Sequence, residues 1–160
     1  MKKTELITTL YQYDSITELE EEYRGLVEHS KEAVENAYAP YSKFKVGAAV
    51  LLENGEIVKG SNQENAAFPS GMCAERVAMF YANSQFPEVP VKAIAVSAYS
   101  NDSFTEDPVP PCGACRQVLL ESETRFEQPI KVFLVSKDKI TMTENVKALL
   151  PINFDDHFLQ

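Results

Sequence analysis

All three cysteines of this chain fall in two short runs, Cys73-Ala74-Glu75 and Pro111-Cys112-Gly113-Ala114-Cys115. Held on one metal ion, they require a fold that brings residue 73 beside residues 112–115. Three thiolates leave the fourth corner of a tetrahedral zinc open, which separates a catalytic site from a closed structural one. Water at an open corner has its pKa lowered toward ~7. Glu75 stands two residues after Cys73, and a carboxylate beside activated water is a proton shuttle. The expected cofactor is one Zn2+ per chain.

A chain of 160 residues is one domain by length and can bury a core without disulfide staples. Its net charge of −9 argues against a nucleic-acid partner, since phosphate neutralisation needs clustered Lys and Arg. No run of eighteen apolar residues is present, so no membrane partner is expected. Met1-Lys2-Lys3-Thr4-Glu5 lacks the apolar stretch of a signal peptide, and an odd cysteine count with a C-x-x-C pair reads as metal or redox before disulfide. The expected location is the cytoplasm.

Residues 1–21 form a variable lead-in, and residues 22–160 a single domain. Ser15-Ile16-Thr17-Glu18 reads as a capping box opening a helix, which runs to Ala39, where Pro40 stops it. Asn54-Gly55 between the apolar runs Val46–Leu52 and Ile57–Gly60 is a strong hairpin signal. A helix is expected from about Cys73 to Asn83, then a strand over Ala93–Ser97 and a polar loop to Pro111. A second helix from about Cys112 to Thr124 precedes strands at Ile130–Val135 and Ile140–Thr143, with a brief helix near Asn145 to Leu150. This order suggests one mixed sheet with helices on both faces.

Both cysteine runs fall at expected helix starts, where backbone N–H groups and the macrodipole stabilise thiolates. Three thiolates outweigh the charge of zinc, so something positive must offset them. The two helix starts and Arg76 are candidates, with Arg76 donating to a thiolate; a surface salt bridge is its alternative. Cys112-Gly113-Ala114-Cys115 alone also reads as a redox pair, which leaves Cys73 with Glu75 unexplained. A structural zinc would have to recruit His29 or His157, both far from the cysteines in sequence.

With Cys73-Ala74-Glu75-Arg76 and Pro111-Cys112-Gly113-Ala114-Cys115-Arg116-Gln117-Val118, the chain resembles the small homotetrameric cytidine deaminases. The signature H-x-E…P-C-x-x-C of zinc nucleobase deaminases is matched in its three-cysteine form. The likeness extends to Tyr38-Ala39-Pro40-Tyr41-Ser42-Lys43-Phe44-Lys45-Val46-Gly47-Ala48-Ala49, to Asn62-Gln63-Glu64-Asn65-Ala66 and to Leu149-Leu150-Pro151-Ile152-Asn153-Phe154. It covers about residues 22 to 154.

The resemblance implies a three-layer α/β/α sandwich with a mixed five-stranded sheet. It implies zinc-dependent conversion of cytidine and deoxycytidine to uridine and deoxyuridine with release of ammonia, in pyrimidine salvage. Cys73, Cys112 and Cys115 would bind zinc, and Glu75 would move the proton. Phe44, Asn62, Glu64, Ala74 and Phe154 would bind the nucleoside, with Phe44 stacking on the base and Asn62 and Glu64 bonding a ribose hydroxyl. Phe154 would reach an adjacent subunit's site in a homotetramer whose sites neighbouring subunits complete. Read without the family, Phe44 is a core residue, and Asn62 and Glu64 are loop caps. Phe68 stands where relatives commonly carry tyrosine, and Asp155-Asp156 where they often have Gly-Pro. The rival functions are a deaminase of a modified pyrimidine and a non-enzymatic zinc protein; Glu75 argues against the second.

Overall fold

The computed structural model describes residues 1–159; Gln160, the end of the expected 22–160 domain, lies outside them. The elements are β1 (Tyr11–Tyr13), α1 (Glu21–Ala33), β2 (Lys45–Leu52), β3 (Ile57–Ser61), α2 (Ala74–Gln85), β4 (Val91–Ser100), β5 (Ser103–Phe104), α3 (Gly113–Arg125), β6 (Lys131–Val135) and β7 (Ile140–Thr143). The strands form one sheet in the order β1-β7-β6-β4-β2-β3, with β5 paired to β4. β4 and β6 run parallel and the other pairs antiparallel, so the sheet is mixed, as expected.

Both faces of the central strands are covered, and side chains alternate between them with the period of two that a pleat imposes. Ala49 and Leu51 of β2, Ala93 and Ala95 of β4, and Phe133 and Val135 of β6 pack with Tyr23, Leu26 and Val27 of α1. Ala48, Val50 and Leu52, Ile94 and Val96, and Val132 and Leu134 pack with Ala78, Met79 and Ala82 of α2 and Leu119 and Leu120 of α3. The result is the expected three-layer sandwich, with α1 in one outer layer and α2 and α3 in the other.

Among the described residues the sheet has seven strands where five were expected. The expected five are β2, β3, β4, β6 and β7. β1 comes from the lead-in and pairs at the sheet edge, Tyr11 opposite Met142 and Tyr13 opposite Ile140. A three-residue edge strand buries too little to show an alternating pattern. β5 folds back through Asn101 and Asp102, both left-handed at φ 53° and 59°, a conformation that Asn and Asp tolerate best among non-glycine residues. The Asn54-Gly55 hairpin forms as expected, with Gly55 left-handed at φ 87° and Leu52 N–H donating to Glu56 O at 2.9 Å.

The first helix is shorter than its pattern. Ser15 Oγ does accept from Thr17 N–H at 3.2 Å, but it caps a single 3-10 turn, Ile16–Glu18. Leu19 is then extended and buried against the sheet, and α1 begins at Glu21. At its other end a 3-10 turn at Val34–Asn36 leads to extended Ala37, well before Pro40. There the chain leaves the helix to pair with residues 62–64: Tyr38 N–H donates to Asn62 O (2.9 Å) and Glu64 N–H to Tyr38 O (2.8 Å). The brief helix expected near Asn145 to Leu150 is one 3-10 turn, Lys147–Leu149. Among the described residues no helix is long and apolar enough to cross a membrane.

Candidate active site

α2 and α3 lie side by side on one face of the sheet, and each begins at a cysteine. Cys73 is the N-cap of α2, Cys112 is the N-cap of α3, and Cys115 lies in the first turn of α3. Their sulfurs converge within 4.8 Å of one another, with Cys73 Sγ to Cys112 Sγ 3.8 Å and Cys112 Sγ to Cys115 Sγ 3.5 Å. Tetrahedral zinc with Zn–S bonds of ~2.3 Å needs sulfurs about 3.8 Å apart. The cluster therefore fits zinc, while His29 and His157 are not part of it.

Positive charge reaches these sulfurs as the net charge of three thiolates requires. Arg76 donates through Nη2 to Cys73 Sγ at 3.8 Å, and its Nε is buried with no hydrogen-bond partner among the described residues. The Cys73 thiol is lowered to about 5, first by the hydrogen bond from Cys115 and then, against burial, by Arg76. Cys115 is pushed up by the same bond to Cys73 and by its burial. Glu75, 5% exposed, is raised above its ordinary range by burial first and by Cys73 beside it. A carboxyl so placed gains basicity, which suits a group that must take a proton from water.

Seven of the residues singled out in the sequence line one cavity of about 310 Å³: Phe44, Asn62, Glu64, Cys73, Ala74, Glu75 and Cys112. Cys115 is buried and is not among the lining residues. Arg76 faces a neighbouring cleft with Tyr41 and Phe68, where Phe68 meets Tyr41 edge-on at 6.0 Å. Phe154 is not among the residues lining its own chain's cavity. It is 56% exposed and its ring stacks on Phe158 at 5.7 Å.

Asn62 and Glu64 act here as the loop caps that a reading without the family suggests. Asn62 Nδ2 donates to Phe44 O (2.9 Å), and its Oδ1 accepts from Val46 N–H (2.8 Å). Glu64 Oε2 accepts from the N–H groups of Tyr41 (2.9 Å) and Ser42 (3.3 Å). Hydrogen bonding, first from Ser42, holds its carboxyl below the usual range. Together they fix the loop that aims Phe44 into the cavity. Each keeps capacity for a ligand, one N–H on Asn62 and one oxygen on Glu64.

Sequence reasoning missed Val109 and Pro110, which wall the cavity; only their place just before Pro111 hinted at it. It also missed Gly60. A Cβ there would stand 2.5 Å from Ala78 N and 2.6 Å from Ala74 O, so this glycine lets the first turns of α2, with Cys73 and Glu75, lie directly on β3. Gly60→Ala is expected to cost about 1–3 kcal/mol by overpacking and to release zinc sooner to a chelator. Gly47→Ala makes the same kind of clash against Ser30 O of α1 (2.2 Å), in the other outer layer. It is expected to lower stability without loosening zinc. Equal zinc loss in both variants would assign the effect to general unfolding.

A sandwich with a sulfur cluster and a buried carboxylate at two adjacent helix starts defines the class of zinc-dependent hydrolytic deaminases. The family described as the cytidine and deoxycytidylate deaminase zinc-binding region matches residues 20–127, and the chain belongs to that family. It is 49% identical over 96 residues to a cytidine deaminase of Halalkalibacterium halodurans, spanning 60% of this chain and 68% of that protein. It is 53% identical over 96 residues to one of Sporosarcina psychrophila, spanning 60% and 66%. The crystal structure of cytidine deaminase from Burkholderia pseudomallei superposes with a TM-score of 0.73 at 39% identity, covering 82% of this chain and 98% of that one.

Proposed function

We propose that this protein hydrolyses cytidine and deoxycytidine to uridine and deoxyuridine, releasing ammonia, in cytoplasmic pyrimidine salvage. The observation that carries this reading is the buried Glu75 carboxylate beside the three-sulfur cluster, in a cavity also lined by Phe44, Asn62 and Glu64. Cys73, Cys112 and Cys115 hold zinc, which when bound supplies the Lewis acidity that lowers the pKa of water toward ~7. Glu75 takes the proton of the water whose oxygen attacks C4 of the pyrimidine, and passes it to N3. A second proton then moves through Glu75 to the amine, the C4–N bond breaks, and ammonia leaves with the carbonyl formed at C4. Phe44 stacks on the base, the backbone at Ala74 on the first turn of α2 borders it, and Asn62 and Glu64 bond the ribose hydroxyl. Arg76 tunes the metal by sharing the charge of Cys73.

The working unit of this reading is a homotetramer in which Phe154 closes a neighbour's cavity. Its exposed ring outside its own cavity supports this, as do exposed Tyr41, Phe68, Phe80 and Tyr81, since exposed apolar patches mark contact surfaces. Residues 22–160 form the catalytic domain, and residues 1–21 are an accessory segment whose β1 lengthens the sheet.

Incubation of the purified protein with cytidine tests the reading. Loss of the cytosine absorbance with stoichiometric ammonia is expected, stopped by a chelator and restored by zinc. No turnover in the zinc-loaded protein would overturn it.

A further inference from the structure

Two consecutive residues of α3 hold the C-terminal tail. Arg116 Nε donates to Pro111 O and its Nη1 to Leu149 O, both at 2.8 Å. Gln117 Nε2 donates to Phe154 O, also at 2.8 Å. Pro111 immediately precedes Cys112, and Leu149 begins the segment that ends at Phe154. The approach to the metal cluster, the root of the tail and the tail's aromatic residue are therefore tied to adjacent positions, one turn into the helix that carries Cys112 and Cys115.

The bond to Phe154 goes to its main chain, which leaves the ring out of the interaction. Both Asp155 Oδ2, which accepts from Asn153 Nδ2 at 3.0 Å, and the 3-10 turn at Asp156–Leu159 lie close by in the chain. Their hydrogen bonds among the described residues stay within the tail. Among the described residues, Gln117 is the side chain outside the tail that bonds to it beyond Pro151.

We propose that Gln117 is a positioning residue for nucleoside binding: it pins the backbone at residue 154 so that the phenyl ring is presented, already oriented, to the neighbouring subunit's cavity. This rests on the reading that Phe154 closes that cavity. Arg116 anchors the root of the same tail to the metal loop. A closing group held in its working position loses less entropy when substrate binds, so the contribution of Gln117 falls on KM and not on the chemical step.

A double-mutant cycle with Gln117→Leu and Phe154→Ala, in zinc-loaded full-length protein, tests the inference. Gln117→Leu keeps the size of the side chain and removes the donor. It is expected to raise KM for cytidine about 2- to 10-fold, the effect of one neutral hydrogen bond, with kcat and zinc content within about twofold of the parent. Gln117→Glu, which cannot donate to a carbonyl, should do the same. In the Phe154→Ala background Gln117→Leu should add nothing, because the ring it positions is gone. The chain has no tryptophan, so Phe154→Trp supplies a reporter that does not depend on activity. Adding Gln117→Leu should lower its fluorescence anisotropy. An unchanged KM in Phe154→Ala defeats the tail reading and this inference with it. A raised KM in Phe154→Ala together with no change in Gln117→Leu, or additive effects in the cycle, defeats this inference alone.

Discussion

Glu75→Gln is expected to keep the fold and the zinc and to lose about 10²–10⁴ in turnover, the range for a positioned acid–base group. The amide has the same shape as the carboxyl, so the cavity it borders is not reshaped. It cannot accept the proton of water, and at 5% exposure no bulk water can take over the relay. Because the sulfur cluster consists of Cys73, Cys112 and Cys115 and does not include Glu75, metal content should not change. Comparing kcat and zinc stoichiometry side by side separates the two roles. Near-parent turnover in the variant would remove Glu75 from the mechanism.

Replacing any one of Cys73, Cys112 and Cys115 by alanine is expected to abolish tight zinc binding and activity together. Two sulfurs cannot hold zinc as three do, and neither histidine belongs to the cluster. Elemental analysis should show one zinc per chain in the parent and a large fall in each variant. Full zinc retention in any of them would defeat the ligand set. Mutating His29 to alanine serves as the control, since its ring contacts Glu32 at 3.1 Å and should leave zinc unchanged. Cys115, fully buried, should also lose stability when truncated, and Cys112, at the surface, much less.

The site was more legible than the elements that carry it. Cys73, Cys112 and Cys115 stand out by residue type and spacing alone, because a metal demands particular donors at particular offsets, and Glu75 stands out by lying two residues from the first of them. Helix starts at residues 73 and 112 followed from the same runs, and the helices begin there. Ser15-Ile16-Thr17-Glu18 has the local chemistry of a helix cap and does cap, yet only one turn. The burial of Leu19 outweighed the propensity to continue. α1 stops short because Ala37 turns extended and Tyr38 pairs with the backbone of residues 62–64 in place of another helical turn.

What the sequence by itself determined about this protein is a set of residues: three cysteines, a carboxylate two positions after the first of them, and the apolar runs that bury both faces of the central strands. Those properties reside in residue types and short spacings, which survive without knowledge of the fold. Only the tertiary structure decided the remainder. It placed Val109 and Pro110 on the cavity wall, set Asn62 and Glu64 to hold the Phe44 loop, and left Phe154 outside its own site, tethered by Gln117. It also allowed α2 to lie directly against Gly60. Each of these joins residues that the sheet or the packed helices bring together from distant parts of the chain, and such contacts leave no periodic trace along it.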